Sequence, residues 1–115
     1  MASTQEILDR HLKCFIGRDF GGIIADYAPD AILFTPAGIL KGRDAIQGLF
    51  QTLFAEFSKP GFMAVVDTQL VEGEYAYILW NARSADKTYE TATDTFVIRG
   101  GKIVVQSFAA KITPR

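Results

Sequence analysis

The apolar positions of this chain follow two different periods, one in each half of the sequence. In the first half they recur at steps of three and four residues, which predicts α-helices, and after about residue 60 they alternate, which predicts β-strands. A first helix is expected over about residues 4–16, capped by Ser3 or Thr4. Its core-facing side chains are Ile7, Leu8, His11, Leu12 and Phe15.

A second, shorter helix and the first strand are expected next. Asp19 can cap a helix that runs to Asp26, and the sequence YAPD at residues 27–30 then interrupts the pattern. The apolar run AILFT that follows predicts the first strand, and TPAG at residues 35–38 predicts a turn after it.

The third helix is predicted to begin at Arg43 or Asp44, after a break at Gly42. A broad apolar stripe at helical spacing indicates that this helix faces the core. The stripe consists of Ile46, Leu49, Phe50, Leu53, Phe54 and Phe57.

The second half of the chain predicts a four-stranded antiparallel meander, because three turn signals divide its alternating segments. The turns are Glu72-Gly73, Ser84-Ala85-Asp86 and Gly100-Gly101, and the strands run over about residues 62–71, 74–83, 88–99 and 102–112. Helices followed by long strands indicate one α+β domain, residues 1–115, in which a curved sheet wraps around the helices. Such a wrap leaves a cavity at its open end.

The composition indicates a folded chain and excludes several classes of binding partner. The 115 residues are 49% hydrophobic and 22% charged, which is typical of a folded chain. Twelve basic and 13 acidic residues form no basic stripe, so nucleic acid is not expected as a partner. We find neither a signal peptide nor an apolar run long enough for a membrane, and we expect a cytoplasmic protein. The single Cys14 excludes an internal disulfide.

Three stretches of the chain carry a resemblance to a known family. They are RHLKCFIGRDFGGIIADYAPDAILFTPAG, KGRDAIQGLF and ATDTFVIRGGKIVVQSFAAKI, which together cover nearly the whole sequence in order. They resemble the nuclear transport factor 2-like superfamily, nearest to SnoaL-like and ketosteroid isomerase-like proteins. The resemblance implies a cone-shaped α+β half-barrel with three N-terminal helices on a curved, mainly antiparallel sheet. It also implies an internal pocket and a homodimer formed through the sheet, but no particular activity.

Ketosteroid isomerase-like enzymes use an Asp base together with a Tyr and a protonated Asp that stabilise the oxyanion. By resemblance, Thr35 stands at the position of the base, His11 at that of the tyrosine, and Phe50 at that of another pocket tyrosine. The second acid is retained as Asp94. A threonine hydroxyl does not accept a proton near neutral pH, so steroid isomerisation by that mechanism is disfavoured.

His11 and Asp94 are the candidate catalytic residues. His11 is the only histidine and lies near the apolar face of the first helix, where it can act as a base or pack as a neutral core residue. Asp94 shares its strand face with Glu90, Phe96 and Ile98, a face expected to point inward, where burial raises the pKa of a carboxyl. The two side chains are expected to form a dyad in which Asp94 orients His11. The plainer interpretation of Asp94 is an acid paired with Lys or Arg at the mouth of the cone.

Two details of the predicted pocket stay open. Asp26-Tyr27 is a second candidate pair, with packing and capping as its ordinary role. A two-residue turn at Gly100-Gly101 places Ser107 opposite Asp94, whereas one extra residue places Gln106 or Phe108 there.

The pocket is expected to bind a flat, apolar small molecule, such as a polycyclic ketone or an aromatic polyketide. One face of the strand predicted over residues 74–83 carries Trp80 and the other Tyr75 and Tyr77, so one of these sets faces the pocket and the other a partner copy. The residues expected to contact the ligand are Tyr27, Phe34, Thr35, Phe50, Phe54, Tyr77, Trp80, Phe96 and Phe108.

No nucleotide-binding, metal-ligating or nucleophile-elbow motif is present in the sequence, so any chemistry is expected to need no cofactor and no metal. Two functions remain. The first is an enzyme that moves a proton next to a carbonyl group or activates water, with His11 as base and Asp94 as its orienting group or as an acid. The second is a non-catalytic module that binds a small ligand or dimerises.

Overall fold

A computed structural model describes residues 2–115. Three helices, α1 to α3, cover Thr4–Ile16, Phe20–Ala25 and Arg43–Phe57. Six strands, β1 to β6, cover Tyr27–Thr35, Gly38–Lys41, Met63–Glu72, Tyr75–Arg83, Lys87–Arg99 and Lys102–Pro114. The predicted helices and the predicted four-stranded meander are therefore confirmed within one to three residues at their ends.

Local sequence signals determine where the first two helices begin. Ser3 caps α1 and forms a capping box with Glu6, each side chain bonding the backbone N–H of the other residue. Asp19 caps α2 by accepting a hydrogen bond from the backbone of Gly22. These caps fix the direction in which α1 and α2 run over the sheet.

The strands form one open, mixed sheet in the order β2-β1-β6-β5-β4-β3. Only β1 and β6 pair in parallel, and the other neighbours are antiparallel. The three helices pack against one face of this sheet, here called the inner face. This is the α+β half-barrel that the sequence predicts, with a sheet that does not close.

The first strand is longer than predicted, and β2 was not predicted. β1 begins at Tyr27, within the segment expected to break the pattern, and pairs with β2 from Ile32 to Thr35. The Thr35 hydroxyl accepts a hydrogen bond from the Ala37 backbone and donates one to the Gly38 carbonyl. The predicted turn is therefore a hairpin turn, and the chain returns along β1 before α3 begins.

An extra residue in β6 decides which side chains point inward. Ile98 pairs with Ile103, whereas Val97 pairs with Val105, so Val104 has no partner on β5 and forms a bulge. The bulge shifts the pairing by one residue beyond the two-residue Gly100-Gly101 turn, which places Phe108 opposite Asp94. Of the two registers that the sequence left open, the one with an extra residue is therefore correct.

The inner face holds the core, and no helix formed by residues 2–115 covers the outer face. On β4, Ala76, Ile78, Trp80 and Ala82 are buried, while Tyr75 and Tyr77 lie on the outer face. Within residues 2–115, no helix is both long and apolar enough to cross a membrane.

Candidate functional site

A cavity of about 650 Å³ lies between the helices and the inner face of the sheet. Most of its lining is apolar, and representative wall residues are Leu33, Phe50, Leu53, Ile78, Phe96 and Phe108. Few ionisable side chains interrupt this lining, and two of them are the predicted residues His11 and Asp94. Both side chains are almost completely buried.

Asp94 lies at the centre of a buried hydrogen-bond network. Its Oδ2 accepts from the indole Nε1 of Trp80 at 2.7 Å, and its Oδ1 accepts from Nε2 of Gln106 at 2.8 Å. The hydroxyl of Tyr27 donates in turn to Oε1 of Gln106 at 2.5 Å. Each member fixes the orientation of the next, which holds the carboxyl in one position on the cavity wall.

Burial raises the pKa of Asp94 above its ordinary value, and the hydrogen bonds from Trp80 and Gln106 and the charge of His11 only partly offset this effect. The carboxyl therefore keeps its proton to a higher pH than an exposed aspartic acid does. A protonated carboxyl can still accept these two hydrogen bonds while its own hydroxyl donates to a bound molecule.

His11 is surrounded by aromatic rings, and its nearest carboxylate belongs to Asp26. The imidazole meets the rings of Tyr27, Phe50 and Phe96 edge-on, at centroid distances of 5.6, 6.3 and 5.4 Å. Its Nδ1 lies 3.5 Å from Oδ2 of Asp26.

The predicted dyad of His11 with Asp94 is therefore corrected. No hydrogen bond or ion pair joins these two side chains among residues 2–115, although both line the same cavity. Trp80 and Gln106 donate hydrogen bonds to the two oxygens of Asp94, whereas Asp26, at the end of α2, lies next to the histidine.

Asp26 is fully buried between His11 and Arg10. Burial alone would raise its pKa, but the neighbouring His11 and the hydrogen-bonded guanidinium of Arg10 outweigh burial and hold the pKa of Asp26 below its ordinary value. Asp26 is thus a carboxylate at neutral pH.

Thr35 lines the cavity, as expected, but both hydrogen-bonding functions of its hydroxyl are used within the β1–β2 turn. Its side chain therefore contributes a wall to the cavity and no free polar group.

The aromatic residues expected around the pocket divide into two groups. Phe50, Trp80, Phe96 and Phe108 line the cavity. The other four are not part of its lining: Tyr27 and Phe54 are buried behind it in the core, and Phe34 and Tyr77 point to the outer face of the sheet.

A second bulge explains a residue that the sequence did not indicate. The pairing of β5 with β6 shifts between Tyr89 and Thr91, so Tyr89 points inward and lines the cavity while Glu90 is exposed. Strict alternation predicts the reverse. The one available signal was chemical, because a tyrosine suits a buried position better than a glutamate.

Tyr89 belongs to a polar cluster away from Asp94. Its hydroxyl donates to Glu56 Oε2 at 3.3 Å, and the ammonium of Lys87, which also lines the cavity, lies 3.4 Å from Glu56 Oε1. Within residues 2–115, no three His, Cys, Asp or Glu side chains are grouped so that they could hold a metal ion.

Solved structures share this fold across almost the whole chain. An NTF2-like protein of unknown function from Cytophaga hutchinsonii superposes with a TM-score of 0.80 at 14% identity, covering 96% of this chain and 92% of that one. A protein from Kribbella flavida assigned to the ketosteroid isomerases gives 0.77 at 17% identity, with 94% and 77% covered. One from Sinorhizobium meliloti assigned to the polyketide cyclases gives 0.75 at 19% identity, with 90% and 93% covered.

At these identities the likeness concerns the fold, which is nuclear transport factor 2-like. No curated protein matches the sequence. The model of the SnoaL-like domain matches residues 8–106, which include most of α1, all of α2 and α3, and the sheet up to the first part of β6. The chain therefore belongs to the SnoaL-like domain family.

Proposed function

We propose that this protein binds a small, largely apolar carbonyl compound in its cavity and moves a proton on it without a cofactor. The observation that carries the proposal is the placement of two titratable side chains, His11 and Asp94, on the wall of one apolar cavity. A volume of about 650 Å³ suits a ligand of two or three fused rings.

The two residues have different roles because their surroundings differ. Asp94, whose pKa burial raises, donates a hydrogen bond to the carbonyl oxygen of the ligand. His11 Nε2 removes a proton from the neighbouring carbon. The C–H electrons form the enol double bond, and the carbonyl oxygen becomes the enolate oxygen that Asp94 stabilises. Return of the proton to another carbon gives an isomer.

The proposal is tested with β-tetralone, a two-ring ketone, as probe. In deuterated buffer the protein is expected to speed the exchange of the protons next to the carbonyl, followed by proton NMR. His11→Gln should lose about 10²- to 10⁴-fold of this acceleration, the usual contribution of a positioned base. Asp30→Asn is the matched control, because Asp30 is an exposed acid outside the cavity lining.

Equal exchange in His11→Gln and in the wild type would refute the role of His11. Binding of β-tetralone without accelerated exchange would instead favour a ligand-binding module without catalysis. One observation supports that second candidate: the Thr35 hydroxyl, at the position of the base in ketosteroid isomerase-like enzymes, is occupied within its own turn.

We also propose that the outer face of the sheet pairs with a second copy of the chain. No helix covers this face, and it carries large apolar side chains that are about half exposed. They include Phe34, Ile39, Met63, Val65, Leu70 and Tyr75. Phe34 pairs with Ile39 and Leu70 lies beside Tyr75, and exposed apolar side chains grouped into patches are typical of a protein–protein interface.

A further inference from the structure

Asp26 directs its two carboxylate oxygens at different partners. Oδ1 accepts a hydrogen bond from Arg10 Nε at 2.7 Å, and the Arg10 side chain is 52% exposed. Oδ2 lies 3.5 Å from Nδ1 of His11, and neither of these atoms has a hydrogen-bond partner elsewhere in residues 2–115. Buried polar atoms are almost always paired, so each of these two atoms is the natural partner of the other.

We propose that Asp26 is the positioning residue of His11: it holds the imidazole proton on Nδ1, so that Nε2 presents its lone pair to the cavity. This inference rests on the proposed role of His11 as the base. A carboxylate can only accept a hydrogen bond, and a neutral imidazole carries one N–H. A carboxylate beside Nδ1 therefore selects the Nδ1–H tautomer.

The same contact serves the step after proton transfer. Once Nε2 has taken a proton from the ligand, the ring is an imidazolium with the Asp26 carboxylate against its Nδ1–H. The attraction between the two charges stabilises this state. The other charged or titratable groups near the pair include Arg10 on the far side of Asp26, Asp94 across the cavity, Tyr27 and Cys14.

The position of Asp26 in the fold argues against a purely local role. The residue ends α2, and its backbone carbonyl accepts a hydrogen bond from Ile103 of β6 at 2.8 Å, which fixes it to the sheet. The backbone N–H of Asp26 caps the end of α2, whereas its carboxylate bonds only to the side chain of Arg10 and to no backbone group in the described chain.

The tautomer of His11 can be read directly, because it is the only histidine. In protein labelled with isotopic nitrogen at histidine, the ring shifts and couplings of the neutral imidazole distinguish Nδ1–H from Nε2–H without any ligand. The wild type is expected to carry the proton on Nδ1. In Asp26→Asn, Arg10 should retain the amide oxygen and turn the NH₂ group toward Nδ1, which should move the histidine proton to Nε2.

Activity gives the second measurement. Asp26→Asn is expected to slow β-tetralone exchange by about 10- to 100-fold while the ketone still binds. Asp30→Asn, the same substitution at an exposed site, is expected to change neither the tautomer nor the rate.

Two results would overturn the inference: an Nε2–H tautomer in the wild type, or the same tautomer in wild type and Asp26→Asn. An Nε2–H tautomer in the wild type overturns the inference even if the variant does not fold. A protein with the expected tautomer and no exchange activity would contradict the proposed function instead, so the two failures are distinguishable.

Discussion

The indole N–H of Trp80 donates to Oδ2 of Asp94 at 2.7 Å, and both side chains lie on the wall of the cavity. Trp80 is the only tryptophan, so the tryptophan emission comes from a ring hydrogen-bonded to the acid proposed to bind the ligand. The ionisation of Asp94 therefore has an optical signal of its own.

The first prediction uses that signal. Trp80 emission is expected to change as Asp94 loses its proton, with a midpoint above 3.8, the ordinary pKa of the carboxyl, because burial raises the pKa of Asp94. Fluorescence titration of the wild type, Asp94→Asn and Asp30→Asn checks this. The transition should vanish only in Asp94→Asn, and an identical curve in all three proteins would contradict it.

The second prediction concerns stability against pH. The pKa of Asp26 is lowered by folding, so Asp26 stabilises the fold above pH 3.8 and this contribution is lost as the pH falls through its folded pKa. The pKa of Asp94 is raised by folding, so its contribution is present below pH 3.8 and is lost as the pH rises through its folded pKa.

Urea unfolding of wild type, Asp26→Asn and Asp94→Asn over a range of pH separates the two effects. The difference in unfolding free energy between wild type and Asp26→Asn should shrink as the pH falls. The difference between wild type and Asp94→Asn should shrink as the pH rises. Two differences that change in the same direction would be inconsistent with the structure.

The third prediction uses Gly48, a solvent-exposed residue of α3 that also lines the cavity. A Cβ added there meets no atom within 4 Å. Gly48→Ala should therefore leave ligand binding intact and stabilise the helix by about 0.5–1 kcal/mol. Gly48→Phe should direct a ring into the opening and weaken β-tetralone binding by about tenfold or more, equivalent to about 1.4 kcal/mol.

Quenching of Trp80 emission measures that affinity, and unfolding in urea measures the stability. Equal affinity in Gly48→Ala and Gly48→Phe would show that the bound ligand does not occupy the part of the cavity that Gly48 lines.

The fourth prediction tests pairing through the sheet. Leu70 is 60% exposed on the outer face, and a lysine there would place a charge in the proposed interface. Analytical ultracentrifugation at micromolar concentration should find the wild type as a dimer and Leu70→Lys as a monomer. Gln51→Lys, which adds the same charge on an exposed position of α3, should remain a dimer. A monomeric wild type would refute the proposal.

The sequence predicts this fold better than it predicts the site. Helical and strand periods depend on near neighbours, so α1, α3 and the meander could be located from the pattern alone. The strand β2 could not, because GILK is short and its partner lies beyond a turn. The inward position of Asp94 also followed from alternation with Phe96.

The partner of His11 could not be found in this way. Asp94 and Asp26 are both acids that the chain brings near the first helix, and only the packing of α2 against α1 decides which one meets the imidazole. Strict alternation likewise places Tyr89 outside the cavity, whereas a bulge between Tyr89 and Thr91 turns it inward, and alternation alone does not reveal that bulge.

The unpaired Val104 has an effect that reaches well beyond its own position. If β6 paired with β5 without a bulge at Val104, Ser107 would lie opposite Asp94 in place of Phe108. The side chain of Gln106 would then point away from that carboxyl. A hydroxyl would then stand where an amide and an aromatic ring stand now, with no change in amino-acid sequence. The polarity of the cavity floor is thus a property of backbone pairing as much as of side-chain identity.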